Sequence, residues 1–342
     1  MTAPLVSVIV VNYNGASFIG RCLESVMTQT FRRLDVTVYD NGSTDGSVAL
    51  VREQAPGVGV VTLGRNRGFA GAVNEGIRRS SSPYVLLLNP DACLSPDYVA
   101  AVYDAAESDG RIGSVTGRLL RTAGPAGRQL IDSTGHILFR NRWVLNRGEE
   151  EIDQGQYDEP GEVFGVCGAA ALYRRAMLED VKVGEEYLDD AFFVYLEDVD
   201  LDWRAQLRGW KAHYVPWAIA HHERGHKGKR RTRSAFVLRH SLKNRYLMML
   251  RNDRLADVLR DLPAILTMEV IRLLDYAATR PSALLGYLDV LPLLPRVLAE
   301  RRYIQGRRCV PPSHVRRWLR PYPYRRKLRA TLESFRRPAR QP

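Results

Sequence analysis

The segment VSVIVVNYNG, residues 6–15, decides the fold class, because its β-branched run ends in the polar turn residues NYNG. Such a run predicts a buried strand that stops at a loop. The pattern returns in VTVYDNGSTDG at residues 36–46 and in YVLLLNPDA at residues 84–92, and segments with helical apolar spacing separate the strands. Strands that alternate with helices predict a parallel sheet of the α/β class, with a ligand crevice at the carboxyl ends of its strands.

The composition is that of a globular protein. The chain has 342 residues, of which 45% are hydrophobic and 26% charged, and this excludes a disordered or disulfide-held module. No C-x-x-C pair occurs among the four cysteines, so free thiols are expected rather than a zinc ribbon: Cys22, Cys93, Cys167 and Cys309. No basic start or cleavage site precedes the first strand, and we therefore expect a cytoplasmic protein.

Charge divides the chain into two regions. Residues 1–220 contain 21 Lys and Arg against 29 Asp and Glu, a net charge of −8, whereas residues 221–342 contain 29 against 9, a net charge of +20. Segregation of this kind is typical of proteins whose basic part faces a polyanion while the acidic part does different work. We therefore expect two domains. The first is predicted to span residues 1–225, and the second, helical and rich in arginine, residues 226–342.

The basic region combines apolar stretches with clusters of positive charge. Charged residues and prolines interrupt the stretches 262–274 and 283–298, so no spanning helix is expected. Amphipathic helices beside basic clusters suit adsorption to an anionic membrane surface. Nucleic acid is the rival partner, because aromatic residues lie among the charges, but no nucleic-acid-binding motif occurs. The basic clusters are residues 227–233, 301–302, 307–308, 316–317 and 325–327.

Two acidic groups stand next to predicted secondary structure. Asp91 follows a predicted buried strand, and its carboxylate oxygens are ligands that suit a hard divalent cation. Glu197 and Asp198 open a group of four acids in six positions, ahead of a helix predicted to begin near Leu201. A carboxylate there can act as a general base, although negative charge also caps a helix N-terminus.

Two further motifs admit more than one interpretation. The glycine-rich segment 66–76 opens a predicted helix, and its backbone N–H groups suit a phosphate or ribose, although its glycines also permit tight packing. His221 and His222 end the last predicted strand, where one of them can bind a metal or serve a structural role. Asp40 can bind a ligand or close its own turn.

Five ordered motifs carry a resemblance to a known family. They are VVNYNG at 10–15, DNGSTDGS at 40–47, NRGFAGAVNEG at 66–76, LLNPDA at 87–92 and YLEDVDL at 195–201. In this order they resemble the family 2 glycosyltransferases, nucleotide-sugar enzymes of the GT-A fold, and a group within them that includes bacterial rhamnosyltransferases. The resemblance implies a Rossmann-like mixed sheet that binds the nucleotide sugar, followed here by the basic amphipathic helices.

The resemblance also implies roles for single residues. Asp198 matches the general base and Glu197 its acidic neighbour. Asp91, with His221 or His222, matches the ligands of a divalent metal, Mn²⁺ or Mg²⁺; Asn89 replaces the first carboxylate of the family's Asp-x-Asp signature. The residues matched to nucleotide-sugar binding are Val11, Tyr13, Asp40, Asn66, Gly71, Asn74 and Asn89.

The function implied is an inverting glycosyltransferase that moves one sugar, rhamnose from dTDP-rhamnose, to a hydroxyl of a lipid-linked or cell-surface polysaccharide acceptor. The expected location is the cytoplasm, at the inner face of the plasma membrane. The sequence is compatible with a monomer or an oligomer. The segment after Gly306 is expected to serve the membrane, so its removal should leave activity on a soluble acceptor. Two rivals remain: a nucleotide-sugar- or nucleic-acid-binding protein without transferase activity, and a Rossmann oxidoreductase, whose G-x-G-x-x-G turn is absent.

Overall fold

A ten-stranded mixed sheet forms the centre of the molecule. The computed structural model describes residues 3–121, 127–224 and 234–324. The main path through the sheet has the order β10-β12-β6-β11-β4-β1-β2-β3, while β5 pairs with β12 and β7 with β6. These strands are β1 (Val6–Asn12), β2 (Leu34–Asp40), β3 (Gly59–Thr62), β4 (Tyr84–Leu88), β5 (Ala92–Leu94), β6 (Ile112–Arg121), β7 (Ile131–Ser133), β10 (Gly161–Val163), β11 (Ala170–Arg174) and β12 (Lys211–His222).

The first four strands are parallel, as the alternation of strands and helices predicts. β1 pairs in parallel with β2 and β4, and β2 with β3. β11 then lies antiparallel between β4 and β6, which makes the sheet mixed. β1 and β4 are buried along their whole length, in keeping with their mostly apolar sequences. The polar residues that follow β1, β2 and β4 consequently meet at one edge.

Helices cover both faces of the sheet and fill the C-terminal region. In α1 the buried residues Ile19, Cys22, Leu23 and Val26 recur at helical spacing. The helices are α1 (Ile19–Met27), α2 (Ser47–Gln54), α3 (Gly68–Arg79), α4 (Tyr98–Glu107), α5 (Arg175–Val181), α6 (Glu197–Leu207), α7 (Ala235–Asn252), α8 (Leu255–Thr279), α9 (Leu285–Leu288), α10 (Leu294–Gly306) and α11 (Pro312–Arg316). Short 3-10 helices occupy Asp190–Phe192, Pro281–Leu284 and Leu291–Leu293.

The C-terminal helices share a hydrophobic core with the motif-bearing region. Trp203 of α6 packs in one buried cluster with Leu247 of α7 and Val297 of α10. A second, three-stranded sheet joins the same regions, because β13 (Leu319–Arg320) pairs in parallel with β8 (His136–Phe139), which pairs with β9 (Val144–Asn146). The two regions that differ in charge are therefore packed together.

The segment after Gly306 contributes to this core. Val315 and Leu319 are buried in the cluster around Trp203, and Trp318 packs against it. The expectation that removal of this segment leaves the motif-bearing domain in place is therefore not met, because the apolar side chains of residues 312–322 stabilise the fold. The predicted basic clusters at 227–233 and 325–327 lie outside the described residues.

One segment in the described part of the chain is long and apolar enough to span a membrane, by length and composition alone. Pro281–Gly306 has a mean hydropathy of 1.4 over its most apolar window, of which 22% is buried. In the fold this segment is divided among two 3-10 turns and the helices α9 and α10. By itself it is weak evidence for a span.

Candidate active site

The crevice begins where β1 and β2 end. The Asn12 side chain donates to Asp40 Oδ1 at 3.2 Å and to Ser47 Oγ at 2.8 Å. Asp40 Oδ2 accepts the N–H groups of Gly42 and Ser43, so this carboxylate closes its own turn. Val11 is buried within β1, whereas Tyr13 extends into the crevice with 45% of its surface exposed. Tyr13 is thus the residue of this group with a face open to a ligand.

The glycine-rich segment packs closely against the neighbouring loops. Asn66 Oδ1 accepts hydrogen bonds from the Asn41 side chain at 3.1 Å and from Gly68 N at 2.8 Å. Gly68 has a φ of +76°, and a Cβ there would lie 2.5 Å from the carbonyl oxygen of Phe193. Gly71 follows in the first turns of α3, where a Cβ would come 3.1 Å from Arg67 Cβ. A tight loop thus opens α3 at the crevice.

Asn74 lies one turn further along α3 and is fully buried. Its amide nitrogen donates to Leu188 O at 2.6 Å and to Asp190 Oδ1 at 2.7 Å. Its oxygen accepts from the N–H groups of Tyr187 and Leu188. Protein groups therefore engage both ends of this amide, and Asn74 joins α3 to the segment that precedes the acidic pair.

Asp91 and His222 face each other across β5 and β12. His222 Nε2 lies 3.1 Å from Asp91 Oδ1 and 3.5 Å from the Asn89 side-chain nitrogen. His222 is buried, whereas His221 is exposed on the opposite side of β12. Successive residues of a strand point to opposite faces, so only one of the two predicted histidines approaches Asp91.

A buried carboxylate holds the other nitrogen of His222. Asp132, in β7, lies 2.8 Å from His222 Nδ1 and 2.5 Å from Arg224 Nε. Burial would raise the pKa of the Asp132 carboxyl, but His222 and Arg224 lower it to about 2. An ionised carboxylate on Nδ1 orients the ring and directs Nε2 toward Asp91, as carboxylates do behind histidine metal ligands. No sequence motif marks Asp132.

The acidic pair occupies the first turn of α6, which begins at Glu197 rather than near Leu201 as predicted. Glu197 is buried, and its Oε2 has no hydrogen-bond partner within the described ranges. Burial, and the charge of Asp198 beside it, raise the pKa of the Glu197 carboxyl to about 8. Burial thus favours the protonated, neutral form of Glu197.

Asp198 lies in different surroundings, with 19% of its side chain exposed. Its Oδ2 accepts from Gly168 N at 3.1 Å, and its Oδ1 accepts from Val199 N at 2.8 Å. Because each carboxylate oxygen can accept more than one hydrogen bond, Asp198 retains capacity for a hydroxyl proton. Of the two acids, Asp198 is the one that a substrate can reach.

His136 stands behind Asp198. Its Nε2 lies 3.6 Å from Asp198 Oδ2, and its Nδ1 lies 2.9 Å from Asp202 Oδ2. Burial by itself would lower the pKa of the imidazole, but the two carboxylates raise it well above the ordinary value. The imidazole thus lies between the carboxyl groups of Asp198 and Asp202. Sequence analysis missed His136, because it belongs to a segment without a recognisable motif.

Two groups of residues offer ligands for a metal. Asp91 Oδ1 and His222 Nε2 converge where β4 ends, and the Asp132 contact leaves Nε2 as the ligand atom. His136, Cys167 and Asp198 form the second group, with ligand atoms within 4.8 Å of one another. The first pair fits a Mn²⁺ or Mg²⁺ ion on a diphosphate better, because it combines a hard oxygen with an imidazole and contains no thiol.

Comparison with known proteins gives the family. The model of the family "Glycosyl transferase family 2" matches residues 7–182, half of the chain. This chain is a family 2 glycosyltransferase. The matched segment contains β1 to β4 and the glycine-rich loop, and thus four of the five motifs that carried the resemblance. The family predicted from the sequence is therefore confirmed, and with it a transferase rather than an oxidoreductase.

A relative supports this family, and solved structures support the predicted fold. The chain is 30% identical over 267 residues to the N-acetylglucosaminyl-diphospho-decaprenol L-rhamnosyltransferase of Mycobacterium tuberculosis, an alignment that covers 71% of this chain and 83% of the relative. A mannosyltransferase from Pyrobaculum calidifontis, solved with GDP-Man and Mn²⁺, superimposes with a TM-score of 0.53 at 19% identity over 89% of this chain and 86% of its own. GalNAc-T7, solved with UDP, GalNAc and Mn²⁺, gives 0.57 at 16% identity over 73% and 48%. The predicted GT-A fold is confirmed.

Proposed function

We propose that this family 2 glycosyltransferase is an inverting enzyme that moves one sugar from a nucleotide sugar to a hydroxyl of a lipid-linked or cell-surface polysaccharide acceptor. The activity of the mycobacterial relative, an L-rhamnosyl transfer to a diphospho-decaprenol-linked sugar, supports rhamnose as the sugar and a lipid-linked acceptor. We take dTDP-rhamnose as the donor. The five sequence motifs resemble those of a group that includes bacterial rhamnosyltransferases, and this resemblance agrees with rhamnose as the sugar.

Asp198 is the proposed general base, and its environment is the observation that carries this proposal. The carboxylate is accessible, is held by two backbone N–H groups and retains acceptor capacity. In an inverting transfer it would accept the proton of the acceptor hydroxyl as that oxygen attacks the sugar carbon from the face opposite the diphosphate. Glu197, protonated beside it, would spare Asp198 a second neighbouring negative charge.

Asp91 and His222 are the proposed ligands of a divalent cation. A cation there would neutralise charge on the departing diphosphate. The imidazole ligand favours Mn²⁺ over Mg²⁺. Asn89, whose amide lies 3.5 Å from His222 Nε2, and Tyr13, exposed at the crevice, are proposed to contact the donor. The same role is proposed for Val11, Asp40, Asn66 and Gly71 as parts of the crevice wall. Asn74, which was predicted with them, is buried with both ends of its amide bound to protein groups, and we propose that it supports this wall from behind without touching the donor.

The proposed acceptor implies contact with a membrane, and α8 supports this contact. Its buried face contains Ile265, Met268 and Tyr276, yet apolar side chains also follow its exposed face. These exposed residues recur at helical spacing: Leu255, Leu259, Leu262, Leu266, Val270, Leu273 and Leu274. An apolar stripe in a region of net positive charge suits the surface of an anionic bilayer. We propose that this face lies on the inner leaflet of the plasma membrane.

A screen of nucleotide sugars tests the donor. With Mn²⁺ present, dTDP-rhamnose is expected to raise the melting temperature more than UDP- or GDP-sugars, because a ligand that binds only the native state stabilises it. A larger increase in melting temperature with another nucleotide sugar would show that dTDP-rhamnose is not the donor. Acceptor-dependent release of the nucleoside diphosphate, with the acceptor presented in anionic vesicles, then tests transfer itself.

A further inference from the structure

A strained segment leads directly into the acidic pair. We call residues 192–196 the strap; it connects the 3-10 helix Asp190–Phe192 to α6. Phe193, Tyr195 and Leu196 have φ values of 63°, 71° and 68°, although none of them is glycine. Phe193 also has a ψ of −59°, and the N–H of the next residue, Val194, donates to the carbonyl of Phe192 at 2.7 Å, which makes a strained γ-turn. Backbone strain of this kind persists only where neighbouring groups enforce it.

One side chain of α7 gathers the carbonyl groups of the strap. Asn244 is fully buried, and its amide nitrogen lies 2.9 Å from Phe192 O, 2.8 Å from Val194 O and 2.7 Å from Tyr195 O. The preceding residue, Lys243, contacts the carbonyl of Ala191. Without a donor between them, these three carbonyl groups would repel one another. The Asn244 amide supplies that donor and so stabilises the unusual backbone conformation of the strap.

The strap touches both halves of the candidate active site. On the donor side, Phe193 O accepts from Phe69 N at 2.6 Å, in the first turn of α3. Glycine at position 68 permits this approach, because a Cβ atom added there would collide with Phe193. On the other side, Leu196 O accepts from Asp200 N at 2.9 Å and thereby starts α6. A shift of the strap would therefore move Asp198 relative to α3.

We propose that Asn244 is a positioning residue of the transfer reaction: by holding the strap it fixes Asp198 at the distance from the donor site that the reaction needs. The inference rests on the proposed role of Asp198 as the base. It also assigns a task within the site to the basic C-terminal region, since α7 belongs to that region. Asn244 itself need not touch either substrate.

The test compares two variants of α7. Asn244→Leu retains the volume of the side chain and removes the donor. It is expected to lower kcat about 10–100-fold, because small displacements of a reacting group have effects of this size, while KM for the donor changes less than threefold. Leu242→Ala is the control: Leu242 packs in a cluster with Leu238, Tyr276 and Ala283, away from the strap, so this variant is expected to lower the melting temperature while kcat changes less than threefold.

Equal kcat values for the two variants would overturn the proposal. So would an Asn244→Leu variant in which only the KM for the donor rises and kcat is unchanged. Hydrogen exchange provides a readout that needs no activity. The amides of Val194 and Phe69, whose hydrogen bonds depend on the strap, are expected to exchange faster in Asn244→Leu than in Leu242→Ala. If the wild-type protein transfers no sugar, the role of Asp198 fails, whereas the exchange result still decides whether Asn244 holds the strap; equal exchange in both variants would show that it does not.

Discussion

Asp198 and Glu197 are neighbours in the chain, but Glu197 is buried, and only Asp198 is accessible to a substrate as a base must be. Asp198→Asn is therefore expected to lower turnover about 10²–10⁴-fold, the usual effect of removing a general base. Donor affinity is expected to stay within a few-fold, because the amide has nearly the same shape. Steady-state kinetics and calorimetric donor titration measure the two effects.

Asp104→Asn is the matched control for this substitution, since Asp104 is exposed on α4. It is expected to leave both turnover and donor affinity unchanged. Wild-type turnover in Asp198→Asn would exclude Asp198 as the base. The alternative interpretation, a helix cap, predicts such a mild effect, because asparagine and aspartate cap helices about equally well.

The two adjacent histidines provide a matched pair for the metal. His222→Ala and Asp91→Ala each remove a proposed ligand and are expected to weaken Mn²⁺ binding at least tenfold, as measured by electron paramagnetic resonance without substrate. His221→Ala, one residue away and exposed, is expected to bind Mn²⁺ like the wild type. Equal affinities in His221→Ala and His222→Ala would place the metal elsewhere.

At the scale of the elements, Asn74 connects α3 to the segment before the strap through four hydrogen bonds. Asn74→Ala leaves buried backbone groups of Tyr187 and Leu188 without partners. We expect the free energy of unfolding to fall by about 2–4 kcal/mol, given the usual penalty for such groups. Urea unfolding measures this loss. Arg78→Ala, on the exposed end of the same helix, is expected to change it by less than about 0.5 kcal/mol.

The contact between α7 and the strap makes stability depend on pH. The His240 ring stacks on Phe193 at a centroid distance of 5.3 Å. Burial, together with the charge of Lys243, lowers the pKa of His240 to about 4. Below its ordinary pKa near 6.5 the unfolded chain therefore binds a proton that the folded chain does not, and stability falls as the pH decreases from about 6.5 toward 4.

His240→Gln removes this titrating group. The difference in urea midpoint between pH 7.5 and pH 5 is expected to be smaller in the variant than in the wild type, because the other ionisable groups are common to both proteins. The same pH dependence in the two proteins would mean that the pKa of His240 is the same in the folded and unfolded chains.

For the whole molecule, the exposed apolar stripe of α8 is the feature that bears on location. Leu266 and Val270 are 54% and 57% exposed, so the double substitution to glutamate is expected to preserve the melting temperature. Co-sedimentation with anionic vesicles is expected to decrease, because the change removes apolar contact and adds negative charge. Met27→Glu, at a residue 50% exposed on α1, is the control and is expected to bind vesicles like the wild type.

Duplex and single-stranded DNA extend this experiment to the rival partner. High salt is expected to weaken vesicle binding only in part, because the apolar contact is not screened. Binding to DNA without binding to vesicles would overturn the membrane proposal.

The sequence by itself determined the first four strands, the loops at their ends and the family. The reason is physical: β1 and β4 are mostly apolar, β2 is rich in β-branched residues, and each strand is followed by a polar turn. Parallel strands bring these turns to one edge. The motifs are local, so each is readable without the rest of the fold. The same local patterns predicted that Asp91, Glu197 and Asp198 stand next to strand and helix ends.

Only the tertiary structure decided which side chains meet. Whether His221 or His222 faces Asp91 depends on the register between β12 and β5, which no local pattern contains. Asp132, His136 and Asn244 come from segments without a motif, and each reaches the site through a contact with a residue 49 or more positions away in sequence. The place of residues 312–322 in the core likewise depends on a distant strand, β8, rather than on their own basic sequence.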